Sequence, residues 1–378
     1  MSVKFNEIKF SYLEVTQFTT WFFASISDDD GFATDVEFTN ADLSYPSAKL
    51  MSEMFTELKK NSSDINETSL MSVLDVKKPI LGRSETATAL SAIRSAILQL
   101  ESLHKGISLV EHLGGTYKEV VPLYANINRG LFLTDRTPKS FAKAAEQAAN
   151  EGFKIIKCAP FDEVNSSQGT NRILDSAQHG INRIKEIRNA IGPDFDVLID
   201  CHGRFNLPAA LVMSDVLSEL NISWFEEPLE TEEHMDSLIE LKANTSIPIA
   251  GGESMYGTLS FSEALNSDVL DIIMPDLKYC GGASEAVEIG KMAINLGKGY
   301  SPHSPSGPIS LLLSGHATAA IEGAMYLEHA VHEYALRNVI LTPSELIQDG
   351  NLIIPKGIGL GGRLNHEFIE KYGVYFTP

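Results

Sequence analysis

Only three cysteines, Cys158, Cys201 and Cys280, occur in the 378 residues of this chain. A set that is odd, sparse and without metal-site spacing excludes a disulfide framework and a zinc module. The three are expected to be small buried hydrophobes. Positive charge is scarce as well: 30 Lys and Arg stand against 50 Asp and Glu, a formal net charge of −20. Binding to nucleic acid or to an anionic membrane relies on Lys and Arg neutralising phosphates, so neither is an expected partner. No run reaches the roughly 18 apolar residues of a membrane span. The opening MSVKFNEIKF lacks an apolar signal-peptide core, which predicts a cytoplasmic protein. Short internal repeats, low-complexity tracts and flexible linkers are missing too.

What is present is enough for a large core. Hydrophobic residues make up 43% of the chain, and the length suits two domains, or a barrel with an elaboration. Residues 1–120 read as an α+β piece. Lys4–Leu13 and Trp21–Ile26 are predicted strands, the second followed by the turn signal Asp-Asp-Asp-Gly at 28–31. Leu90, Ile93, Ile97 and Leu100 share one face of a helix. From Val121 the rhythm changes. Eight short apolar runs (VVPLYAN, FKIIK, DVLID, ISWFE, IPIAGGE, DIIMPD, YSPH and MYLE) alternate with helix-like stretches. That alternation implies βαβ units and a parallel sheet, in number fitting a TIM-like barrel. A doubly wound open sheet competes, but no Gly-x-Gly-x-x-Gly follows the first strand.

In such barrels the site lies at the C-terminal ends of the strands. Six runs end on an ionisable residue: Asp200, Glu226, Glu253, Asp276, His303 and Glu328. The intervals are 26, 27, 23, 27 and 25 residues, each about one βα unit, so the six side chains converge on one rim. Each acid by itself could merely cap the following helix. Six in register point instead to a site. Three adjacent carboxylates cannot all stay ionised without compensating charge, and hard oxygen ligands suit Mg2+ or Mn2+. A bound cation would also offset the repulsion that this acidic chain exerts on an anionic substrate.

The strings LIDCHGRF (198–205), WFEEP (224–228), IAGGES (249–254), IIMPDLKYCGG (272–282) and SPHSPSGP (301–308) resemble the barrel signatures of the enolase superfamily, in its mandelate racemase-like branch. LGGTYKEVVPLYAN (113–126) and GIGLGGRLN (357–365) resemble its entry into the barrel and its C-terminal tail. The resemblance implies an α/β fold: a (β/α)7β TIM-like barrel with an α+β capping domain formed by the N-terminal region and the C-terminal tail. The corresponding spans are a cap at 1–120, a barrel at 121–338 and a returning segment at 339–378. It implies Asp200, Glu226 and Glu253 as metal ligands, and His303 as a base oriented by Asp276. Glu328 would contact the substrate carboxylate or enolate in its protonated form. The shared chemistry is removal of a proton beside a carboxylate of a small-molecule substrate. Such capped barrels also imply a homo-oligomer.

Departures from the family pattern narrow the reaction. Relatives that racemise carry Lys-x-Lys on the second strand; here Lys157-Cys158-Ala159 keeps only the first lysine. Racemisation needs an acceptor on one face and a donor on the other, so a two-base racemase is disfavoured. Lys157 is left as a catalytic and carboxylate-binding residue, unless it is a strand-end lysine facing solvent. His202 follows Asp200 by two residues, on the same strand face, and Asp-Cys-His-Gly-Arg resembles the motif of sugar-acid dehydratases such as galactonate dehydratase. His202 would then be the general acid. Arg204 and Asn126 are further substrate-binding candidates, as are Asn128, Arg129, Asp162 and Gln168. The connection Glu14–Thr20 is short for a lid over the barrel mouth, and Arg94 stands where the family pattern has Asp. The resulting expectation is a metal-dependent lyase that dehydrates an aldonate or aldarate to a 2-keto-3-deoxy acid. A cycloisomerase or epimerase of the same superfamily is the alternative, and a non-catalytic barrel protein the third.

Overall fold

The computed structural model describes residues 3–61, 65–66, 70, 80–116 and 118–378. Strands β1 (Phe5–Glu14), β2 (Thr20–Asp28) and β3 (Ala33–Glu37) form an antiparallel meander, and the late strand Val374–Phe376 adds to the free edge of β1. Helices Ser44–Asn61 and Glu85–Lys105 pack on this sheet. The second helix starts where the Ser84 side chain accepts the Ala87 N–H, and it stops at Gly106, whose φ of 67° suits a residue without a Cβ. Its Leu90, Ile93, Ile97 and Leu100 are fully buried, the last three in the cap core with Phe22, Ile26 and Phe38. Truncating Ile97 to Ala would cost about 2–5 kcal/mol.

Eight strands then build the barrel: β4 (Val120–Asn126), β5 (Ile155–Cys158), β6 (Asp196–Asp200), β7 (Trp224–Glu226), β8 (Ile249–Gly251), β9 (Ile272–Ile273), β10 (Gly299–Tyr300) and β11 (Leu327–Ala330). Each pairs in parallel with the next from β4 to β10, and β11 pairs with β4. The Met325 N–H donates to Tyr300 O at 2.9 Å and bridges β10 to β11, closing the ring. A long helix follows every strand from β4 to β10 and none follows β11, which is the (β/α)7β pattern. Inside the ring Tyr124, Ile155, Leu198, Trp224, Ala250, Ile272 and Met274 form an apolar plug, so the barrel is a packed core rather than a pore.

After β11 the chain runs back across the molecule. A hairpin at Leu346–Gln348 and Asn351–Ile353 pairs with the start of β4, and the C-terminal strand then reaches β1. Buried Asp35 of β3 holds this return: it accepts the Leu364 N–H at 2.9 Å and pairs with the Arg363 guanidinium. Burial would raise the Asp35 carboxyl, but His366 and Arg363 hold it down at about 2. Cys158, Cys201 and Cys280 are free and buried, and burial pushes all three thiols up. Among the described residues no helix is long and apolar enough to cross a membrane.

Candidate active site

Alternation along the strands decides which side chains reach the barrel mouth. Residues two apart on a strand face the same way. From the plug, that step leads from Tyr124 to Asn126, Ile155 to Lys157, Leu198 to Asp200 and Trp224 to Glu226. A polar layer therefore sits directly on an apolar one. Register places Asn126 beside Lys157 and Asp200 beside Glu226. Glu253 comes by another route. Strand β8 ends at Gly251, and Gly252 turns at φ 90° to deliver it.

Asp200, Glu226 and Glu253 are buried, and one oxygen from each lies within 4.8 Å of the others. Glu253 Oε2 is buried, with His303 Nε2 3.1 Å away. Clustered hard oxygens fit a divalent cation, and these three residues could hold one. Burial pushes the Glu226 carboxyl well above its usual range, and the neighbouring Asp200, Glu328 and Glu253 charges add to the effect while Lys157 opposes it. Glu227, behind the cluster, is pushed up to about 8 by burial and by the Glu253 charge. It accepts the Gly252 N–H at 3.1 Å and so helps fix the turn that aims Glu253.

Lys157 is fully buried and does not face solvent. Its Nζ lies 3.3 Å from Asp200 Oδ2 and 3.1 Å from Glu328 Oε1, and it hydrogen-bonds Glu226. Burial pulls its ammonium pKa down, but these three carboxylates overcome that and hold it well above the usual value. Burial raises the Glu328 carboxyl pKa, while Lys157, His303, the Ser304 N–H (2.9 Å) and the Asn126 amide (2.7 Å) pull it down, and the net direction is downward.

His303 Nδ1 is 2.8 Å from Asp276 Oδ2, while its Nε2 is 3.1 Å from Glu253 Oε2. Asp276 is held at about 2: burial would raise it, and the Lys278 ammonium, then His303, outweigh burial. Lys278 Nζ lies 2.9 and 2.6 Å from the two Asp276 oxygens. His202 also reaches the site, but not by strand alternation. Strand β6 ends at Asp200, and His202 sits in a turn at φ 48° with its N–H on Asp200 Oδ1 (3.0 Å) and its Nε2 3.1 Å from Asp200 Oδ2. The Asp200 charge raises its pKa against burial.

A cavity of about 220 Å³ opens over this floor, with Asn126, Asp200, His202, Glu253 and His303 in its lining. The cap supplies Trp21, Thr39 and Arg83. The β1–β2 connection is only residues 15–19, yet its Phe18 lines the cavity and packs on Phe132 (centroids 6.4 Å apart). The short lid therefore still reaches the mouth. A larger groove of about 820 Å³ lies between β1, β2 and the C-terminal strand, and none of the six in-register residues lines it.

Arg204 does not line the cavity. Its guanidinium donates to the carbonyls of Asp162 (3.0 Å) and Val164 (3.2 Å), bracing the loop after β5. Asp162 is itself engaged by Arg136, and Gln168 lies outside the lining. Asn128 and Arg129 are in it. Arg94 pairs with Glu285 at 2.9 Å, tying cap helix to barrel helix. Sequence reasoning missed Lys278, Tyr279, Arg83 and Trp21 in the lining. Only Lys278 carried a signal, standing two residues after Asp276.

Residues 140–368 match the family described as Enolase C-terminal domain-like. The chain belongs to the enolase superfamily. Within that superfamily it is 31% identical over 296 residues to the D-gluconate dehydratase of Thermoproteus tenax, a match covering 77% of this chain and 58% of the relative. Its span is thus little more than half of that relative's length. It is 29% identical over 300 residues to the D-galactarolactone cycloisomerase of Agrobacterium fabrum, covering 77% and 75%. Its fold matches a mandelate racemase/muconate lactonizing enzyme structure from Jannaschia sp. CCS1, with a TM-score of 0.86 and 21% identity over 100% of this chain and 99% of the other.

Proposed function

We propose that this superfamily member is a divalent-metal-dependent lyase that dehydrates a sugar acid, an aldonate or aldarate, to a 2-keto-3-deoxy acid. One observation carries the reading: two histidines, His303 and His202, line the same cavity, each paired with a different carboxylate, Asp276 and Asp200. Elimination of water needs a base for the proton beside the carboxylate and an acid for the departing hydroxyl. The dehydratase names of relatives, D-gluconate, arabinonate and D-xylonate among them, support it.

Asp200, Glu226 and Glu253 would hold the ion, Mg2+ or Mn2+, which when bound supplies positive charge beside the substrate carboxylate as the neighbouring carbon loses its proton. His303 Nε2 takes the C2 proton while Asp276 holds Nδ1–H and thereby fixes the tautomer. Asn126, in the cavity lining, would orient the substrate carboxylate, while Lys157, buried against Asp200, Glu226 and Glu328 and outside the lining, would offset the charge of the cluster from beneath. His202, whose Nε2 lies 3.1 Å from Asp200 Oδ2 in the cavity lining, gives its proton to the leaving 3-hydroxyl. One water departs, and the enol that remains tautomerises to the ketone. Buried Ala159 offers no titratable group at the position of a second lysine, which argues against two-base racemisation.

The test is a screen of mono- and dicarboxylic sugar acids with Mg2+, reading 2-keto-3-deoxy products by semicarbazide absorbance. Product formation that disappears in His303→Asn, with metal binding intact, supports the assignment; substantial turnover in that variant refutes it. Proton NMR of substrate and product separates the cycloisomerase reading, which the Agrobacterium relative favours, because its product is an isomer and no water is lost. Association into a homo-oligomer belongs to the same proposal and is checked by light scattering.

A further inference from the structure

The chain has ten arginines. Six pair with carboxylates, Arg83 with Glu253 and Arg136 with Asp162 among them. Arg188 and Arg204 are engaged by backbone carbonyls. Arg172 is exposed on the helix Thr170–Ile191. Arg129 is the exception: partly buried, it lines the cavity over the carboxylate cluster and has no hydrogen bond or ion pair among the described residues. In a chain with 20 more acids than bases, a cavity-facing guanidinium without a carboxylate calls for a partner from outside the chain.

Its loop is built to present it. The Asn126 side chain accepts the Asn128 N–H at 2.9 Å, and the Asn128 side chain accepts the Ala159 N–H at 2.7 Å. Gly130, next to Arg129, lies so close to Val331 and His332 that a Cβ there would meet them at 3.1 Å. The backbone carrying Arg129 is thus fixed before any ligand arrives, which lowers the ordering cost of binding. The cavity, about 220 Å³, is smaller than the ~300–1,000 Å³ of drug-sized pockets and suits a compact acid. At its floor Asp200 and Glu253 of the carboxylate cluster, with Asn126, mark where one carboxylate end of a ligand would sit on the proposed reading. The hydroxymethyl end of an aldonate would bring Arg129 no charge, whereas the second carboxylate of an aldarate would pair with it, in the two-pronged geometry that guanidinium favours.

We infer that Arg129 is a second carboxylate-binding residue and that the substrate class is the dicarboxylate sugar acids. This rests on the lyase reading for the reaction, but not for the binding preference. The experiment measures calorimetric binding of hexarates and hexonates of matched configurations to the Mg2+-loaded protein, alongside semicarbazide turnover. The hexarate should bind at least about tenfold more tightly than its matched hexonate, as a paired guanidinium and carboxylate allow. That ratio should collapse towards one in Arg129→Met and in Arg129→Gln, either of which serves if the other fails to fold, and should be partly kept in Arg129→Lys. Hexonates binding as well as hexarates, or a ratio unmoved by the substitutions, overturns the inference; 2-keto-3-deoxy product in the same assay would show that the lyase reading survives. An Arg129-dependent hexarate preference without any keto product supports the dicarboxylate site and overturns the lyase. Binding of neither class overturns both.

Discussion

Replacing Glu37 with Ala tests how the cap is fastened to the loop that carries His303. Glu37 ends β3 and is buried. It accepts the Gly307 N–H at 2.8 Å and the Ser310 N–H at 3.1 Å, at the start of the barrel helix Pro308–Ala319 that follows His303. Burial raises its carboxyl pKa, opposed by Lys278 and those two N–H groups. Truncation would orphan two buried donors at about 1–3 kcal/mol each. It would also remove a negative charge from a helix N-terminus, worth about 0.3–1 kcal/mol. Relief from burying a carboxylate offsets part of this, so the net loss should be about 3 kcal/mol. Urea unfolding followed by far-UV circular dichroism and by tryptophan fluorescence measures it. Trp21 is a local reporter, since a Cβ at position 307 would lie 2.9 Å from its ring. Turnover should fall as well, because the His303 loop loses its anchor, while the Mg2+-induced thermal shift stays. A stability loss below about 0.5 kcal/mol, the range of ordinary surface substitutions, would show that water re-satisfies the donors and that Glu37 fastens nothing.

Three further outcomes are expected. In His202→Asn the substrate C2 proton should still exchange with deuterated solvent while dehydration falls at least about a hundredfold, the share of a general acid; loss of exchange and elimination together would reject the division of labour between the two histidines. Mg2+ or Mn2+ at a hundred times its dissociation constant should stabilise the protein by about 2.7 kcal/mol, and Asp200→Asn should remove the shift in unfolding temperature; a wild-type protein indifferent to both ions contradicts the metal site. His316 is buried with its Nε2 on Leu360 O (2.9 Å), and burial pulls its pKa from 6.5 to about 4. The unfolded chain therefore binds that proton first, so this contribution to stability is whole above pH 6.5 and is lost as pH falls towards 4. The size is up to about 3 kcal/mol. His316→Gln should flatten the stability profile over that window, and an unchanged slope would mean that other groups set it.

The barrel and its acidic rim were legible because both are written locally. Each of the eight apolar runs is one strand, and Asp200 and Glu226 close theirs at positions that alternation alone assigns to the interior. His202 was placed in the site for an incomplete reason: its left-handed turn, not strand geometry, brings it there. The surroundings of Glu328 were out of reach, since Ser304, Asn126 and Lys157 arrive at it from three other strands or loops. The Glu37–Gly307 contact spans 270 residues of sequence, and nothing near either residue announces it. Lys278 was readable in principle from its step after Asp276, but a lone lysine carries weight only once its carboxylate is known to be the partner of a histidine.

The cavity has a floor from one part of the chain and walls from others. Asp200 ends a barrel strand, and His202, Glu253 and His303 stand on the turns just past theirs, whereas Phe18, Trp21 and Arg83 come from the cap and Arg129 from a short helical turn. Inheritance can act on the two sets separately. A replacement at Phe18 or Arg129 would change the wall of the cavity without touching the residues that carry Asp200, Glu253 and His303, so the two sets can vary independently.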